Sequence, residues 1–134
     1  MSAWPIQVAV AARWLATPAV VALVGDRIYD GEAPQGEASP YVVIGNSTGV
    51  PRNTLGRYGA TMTLTAHSWA QSPTRSNAEV LTLARQLTLA LRQPLSVDGY
   101  GTVHARWEFE ETQAEADGWR QAITRWRFIA MEDA

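Results

Sequence analysis

The hydrophobic period changes twice along this chain, and that change limits most what it can fold into. From Thr61 to Trp69 residues alternate, Met62, Leu64 and Ala66 on one side, Thr61, Thr63, Thr65 and His67 on the other. A period of two marks a half-buried antiparallel strand. From Ser76 the period becomes helical: Val80, Leu83, Ala84, Leu87 and Leu91 share a stripe that ends before Pro94. Ser76 and Glu79 have the spacing of a capping box, in which each side chain satisfies the other's free backbone donor. Alternation then returns in two runs joined by a turn near Asp117-Gly118. Val103, Ala105, Trp107 and Phe109 share a face in the first, Thr124, Trp126, Phe128 and Ala130 in the second. These elements predict an α+β fold, a small antiparallel sheet packed against one long helix. Facing that helix, each large aromatic would contribute roughly 1.5–3 kcal/mol by burial.

Upstream, Pro5 suits a first helical turn, and Ile6, Ala9, Val10 and Trp14 follow at helical spacing. Thr17 is placed to cap a second short helix from Pro18, with Gly25 terminating it in a left-handed conformation. "RIYD" (27–30) reads as a brief extended stretch and "GEAPQGEASP" as a surface loop. Tyr41–Ile44 is a β-rich run behind Pro40. Between it and the strand at Thr61 lies "NSTGVPRNTLGRYG" (46–59), which carries Arg52 and Arg57 and no acid. A polar loop of that length in a small domain is functional or disordered. It is either a mobile hairpin connection or an extension that reaches another molecule.

A chain of 134 residues fits one domain, residues 1–134, with a core large enough to stand without staples. Cysteine is absent, which removes disulfides, thiolate metal sites and thiol nucleophiles together. With 46% hydrophobic and 18% charged residues the composition is that of an ordinary folded chain. The formal charge of −2 argues against a dedicated nucleic-acid coat or a basic membrane-surface protein. Every basic residue is arginine, which reads as a high-GC coding bias ahead of a preference for planar, multi-donor contacts. The N-terminal stretch lacks a basic n-region, and Arg13 and Pro18 interrupt its apolar residues, so neither export nor membrane insertion is expected. The sequon Asn46-Ser47-Thr48 is read as chance.

No catalytic constellation is expected. His67 and His104 are the only histidines, both within predicted strands, and neither has a ligand partner at motif spacing. "GYG" (99–101) is a turn before a strand and lacks the strand and helix of a dinucleotide loop. No P-loop and no nucleophile elbow occur. Glu108, Glu110, Glu111, Glu115 and Asp117 form an acidic cluster that reads as a local negative field. On the polar faces of the two C-terminal runs lie His104, Arg106, Glu108 and Glu110, and Ile123, Arg125 and Arg127. That face is a solvated surface with cross-strand ion pairs, or a surface between subunits.

"LVGDRIYDGEAPQGEASPYVVIG" (23–45), the strand end "HSWA" and "SPTRSNAEVLTLARQLTLAL" (72–91) occur in an order and spacing that cover most of the chain. In these the sequence resembles the tail completion family of tailed bacteriophages, the tail terminator or head-tail joining proteins. The resemblance carries no catalytic, cofactor-binding or metal-binding residues. It implies an α+β protomer with short N-terminal helices that forms a ring, six-fold in the common case, at the head-proximal end of the tail tube. There it would stop tube growth and join the head connector or stopper, after assembly in the host cytoplasm. Implied partners are copies of itself, the tube protein, the connector, and DNA only in passage, with no membrane. On this view Arg52, Asn53, Arg57, Arg106, Glu108, Arg125 and Arg127 are interface candidates, and Glu110, Glu111, Glu115 and Asp117 candidates for the lumen. Alternatives are another neck component, such as an adaptor or stopper, a small ligand-binding α+β domain, or a regulatory dimer.

Overall fold

The alternating run at the middle of the chain becomes the central strand. The computed structural model describes residues 2–133. Helix α1 (Trp4–Leu15) and helix α2 (Pro18–Val24) lead into β1 (Ile28–Asp30), β2 (Tyr41–Pro51) and β3 (Gly59–Gln71). Helix α3 (Ala78–Ala90) follows, then β4 (Leu95–Val97), β5 (Gly101–Val103), β6 (Ala105–Ala114) and β7 (Trp119–Met131). The main sheet has five strands in the order β1-β2-β3-β7-β6, and β4 with β5 forms a separate pair. The fold is α+β as expected, but the sheet is mixed, because β1 runs parallel to β2. A hairpin cannot supply a parallel neighbour, and the loop from Gly31 to Pro40 supplies the return.

Burial follows the sequence pattern where the pattern is unbroken. Met62, Leu64 and Ala66 are buried on the helix side of β3 in one cluster with Leu83, Leu87 and Leu91 of the α3 segment, while Val80 and Ala84 pack with Ala70 and Ala122. On α1, Ile6, Val10 and Trp14 point inward. The Trp14 ring meets Trp126 edge-on at 5.5 Å, and its indole N–H donates to the Leu87 carbonyl at 3.1 Å. Arg13 ties α1 to the end of α3, donating to the carbonyls of Ala90 (2.9 Å), Gln93 (3.1 Å) and Pro94 (2.8 Å). A guanidinium is well suited to carbonyls that a helix end leaves free.

Several local expectations change. The capping box does not form, because the N-cap is Asn77 and Glu79 falls one position short of the place a reciprocal bond requires. Ser76 Oγ instead accepts from the Ala78 N–H at 3.1 Å. Thr17 occupies the N-cap of α2, yet its hydroxyl donates backward to the Arg13 carbonyl at 2.6 Å. Gly25 ends α2 with φ 60° and ψ −124°, a glycine conformation outside the left-handed helical region. Half of the expected loop at 46–59 is strand, since β2 continues to Pro51 beyond a register shift between Ile44 and Ser47. That bulge needs glycine, for a Cβ on Gly45 would lie 2.8 Å from His67 Nε2.

The largest correction is at the first C-terminal run. It breaks at exposed His104, which lies between strands, so Val103 belongs to the small sheet and β6 starts at Ala105. A second register shift lies between Trp107, opposite Trp126, and Phe109, opposite Arg125. The extra residue, Glu108, reverses the parity and puts Trp107 and Phe109 on opposite faces. Both are exposed, at 58% and 37%, so the burial expected of four aromatics holds only for Trp126 and Phe128.

Candidate functional site

Helices cover one face of the main sheet and leave the other open. On that open face, β7 presents Arg125 and Arg127 and β6 presents Arg106, opposite Arg127 in register. The bulge turns Glu108 toward both β7 arginines: Arg125 Nε lies 3.0 Å from one carboxylate oxygen and Arg127 Nε 3.9 Å from the other. The Arg125 guanidinium also sits 4.9 Å from the centre of the Phe109 ring. These pairs are partly exposed, so each contributes about 0.2–1 kcal/mol. Arg106 makes no ion pair among the described residues. The fold therefore sets Glu108 between Arg125 and Arg127, with Arg106 opposite Arg127 and outside the ion pairs.

The predicted basic loop becomes the tip of the β2–β3 hairpin, residues 52–58. Two of its candidates hold the tip in shape. Asn53 Oδ1 accepts from the Gly59 N–H at 3.2 Å, and Arg57 donates to the Glu132 carbonyl through Nη2 at 2.8 Å. The Arg52 side chain has no partner among the described residues. Leu55 is fully exposed at the tip, with Val50 and Tyr58 exposed beside it.

The acids do not form one cluster. Glu110 lies opposite Thr124 and so shares the helix-side face, whereas Glu111 lies opposite Ile123 on the open face. Asp117 sits in a tight turn at Ala116–Gly118 with φ 59°. Glu115 Oε1 accepts from Gln121 Nε2 at 3.3 Å, and Gln121 Oε1 contacts His67 Nδ1 at 2.6 Å. Among the described residues no group of three or more His, Asp or Glu could hold a metal ion.

One feature of the open face escaped the sequence. Tyr29, Tyr41, Trp69 and Trp119 form a continuous aromatic patch, with Tyr41 stacked on Trp69 at 6.2 Å and edge-on to Trp119 at 5.8 Å. The loop through Glu37 folds beside it, and the Tyr29 hydroxyl donates to the Glu37 carboxylate. Burial, and then the charge of Glu37, push the Tyr41 phenol above its ordinary pKa. The only sequence signal was parity: Trp69 falls on the Thr–His side of its strand.

The described surface therefore offers a charged ladder, an aromatic patch and a projecting hairpin tip. A family model described as tail completion protein gp17 matches residues 8–130. The chain belongs to the tail completion protein gp17 family. As a member of that family it is a structural protein of the tail or neck of phage-type particles. A chain from a structure described as the virion of a native gene transfer agent particle shares its fold. That chain superposes with a TM-score of 0.83 at 20% identity, over 94% of each chain. No curated protein matches the sequence.

Proposed function

We propose that this tail completion protein is a virion component that forms a ring, six-fold in the simplest case, at the head-proximal end of the tail tube. The observation that carries this is the family match over residues 8–130. Within the ring, the outer ladder of Arg106, Glu108, Arg125 and Arg127 faces a neighbouring subunit. The hairpin tip with Arg52, Asn53 and Arg57 reaches the tube protein, and the opposite side meets the connector or stopper of the head. Glu111, Glu115 and Asp117, at the turn end of the β6–β7 hairpin, face the lumen, where like charge lets DNA pass without adhering. Glu110, on the other face, is left to the helix side.

Deleting the coding sequence from the producing genome and imaging particles by negative-stain electron microscopy tests this directly. Full heads with unjoined or overlong tails are the expected result. Unjoined tails of normal length would assign the protein to the neck as an adaptor or stopper, and intact particles would reject the reading.

A further inference from the structure

Helix α1 is apolar on every side. Its inward stripe, Ile6, Val10 and Trp14, builds the core, while Trp4, Val8 and Leu15 are 56%, 49% and 47% exposed. Its polar residues are already engaged: Gln7 donates to Asp30 at 2.7 Å, and Arg13 is bound to three carbonyls near the end of α3. Across α1 and α2 the exposed residues are Trp4, Val8, Ala12, Leu15, Pro18, Ala19, Val21 and Ala22, with no charge among them. A helix that is apolar all round is one that becomes buried.

A groove of matching character lies on the far flank of α3, over β6. Helix α3 covers β3 and β7, and every residue of β6 is at least partly exposed. Beside α3, on the helix side of β6, a groove is lined by Leu81, Leu89 and Trp107 and edged by Arg85, Arg92 and Glu110. Neither Arg85 nor Arg92 makes an ion pair among the described residues. At about 1.5 Å per residue, α1 and α3 have lengths near 18 and 20 Å, so one can lie along the other. The α1–α2 side carries Asp26, just past α2, and Asp30, which accepts from Gln7 of α1, while Arg27 there is tied to the Pro40 and Leu23 carbonyls.

We propose that α1 of one copy seats in the α3–β6 groove of the next. There it supplies the helix that β6 lacks, with Asp26 and Asp30 set toward Arg85 and Arg92. The contact rests on the ring reading above. It joins two different surfaces of the helix layer, the heterologous geometry that closes rings. A lipid surface is the poorer occupant. Interfacial helices carry Lys or Arg along their polar flank, and the one arginine of α1 is turned to carbonyls. No single described helix is long and apolar enough to cross a membrane, and α1 and α2 meet at 84°.

Because the chain has no cysteine, paired cysteines can report the contact. Val8→Cys is combined in turn with Leu81→Cys, Leu89→Cys or Trp107→Cys, and purified particles are oxidised and run on non-reducing gels. At least one pair should give a multimer ladder that collapses with reductant, while each single variant stays monomeric. Where a double variant fails to enter particles, co-assembly of the two single variants should give a crosslinked dimer. A dimer from Val8→Cys alone would mean that α1 meets α1, and no crosslink in particles that contain the protein would mean that α1 lies elsewhere. Either overturns the contact and leaves the tail role standing. Absence of the wild-type protein from particles would instead reject the tail role. Co-sedimentation of the wild-type chain with phosphatidylglycerol vesicles, lost in Val8→Asp, would overturn the contact in favour of a lipid surface.

Discussion

Thr124 is fully buried on β7, and its hydroxyl has no hydrogen-bond partner among the described residues. A buried donor without an acceptor has lost water and gained nothing, so Thr124→Val should raise stability by about 1 kcal/mol, read from urea unfolding. Tyr41 gives a pH signature. Burial and the Glu37 charge raise its phenol above 10.0, so above that pH the unfolded chain releases the proton first. The stability contributed by the neutral phenol is complete below pH 10 and is lost as pH rises through the folded pKa. Tyr41→Phe cannot ionise, and should lose less stability than wild type as pH rises above 10.0. At the hairpin tip, Arg52 and Arg57 separate by use: Arg57 holds the Glu132 carbonyl and Arg52 holds nothing described. Arg52→Glu should therefore leave stability within about 0.5 kcal/mol while blocking tail joining. Normal tails in that variant would remove the hairpin from the tube contact.

The bulge in β2 sets where the hairpin points. At Gly45 an added Cβ would meet His67 Nε2 at 2.8 Å and Cδ2 at 2.9 Å, and the ring is held from its other side by Gln121. Gly45→Ala should destabilise by about 1–3 kcal/mol, the usual cost of overpacking. Adding His67→Ala should recover most of that loss; equal losses in single and double variants would show that the bulge itself, not the ring, is at fault. Elements of this kind mark how far the sequence could be read. Residues 61–69 and the α3 stripe were legible because one period ran through them without interruption. The bulge at Glu108 was not, since an inserted residue leaves local alternation intact while reversing every side chain after it. Residues 47–51 hid as loop because the inward positions of β2 there are Ser47, Gly49 and Pro51, which show no apolar alternation. The charged ladder was legible as residue types, but the aromatic patch depends on strand order and register, which neighbouring residues do not encode.

At the scale of the whole molecule, under the ring proposal the helix layer and the open sheet face would divide the work of assembly. The helix layer carries an uncharged apolar flank and a groove, suited to tight contact between copies. The open face carries the charges, which steer and align more than they bind. The turn end of the β6–β7 hairpin holds Glu111, Glu115 and Asp117, all exposed. In a ring these carboxylates recur once per subunit, so a small local charge becomes a collar, and the potential it sets acts within about a Debye length of 8 Å. The variant Glu111→Gln, Glu115→Gln, Asp117→Asn removes that collar at little cost to the fold. Asparagine tolerates the positive φ of position 117, and glutamine at position 115 keeps an oxygen to accept the 3.3 Å bond from Gln121. Particles carrying the triple variant should assemble and join tails normally, yet release DNA more slowly, with the delay greatest at low ionic strength. Release at the wild-type rate across salt concentrations would put these acids away from the DNA path. Slowed release independent of salt would trace the effect to altered ring shape instead.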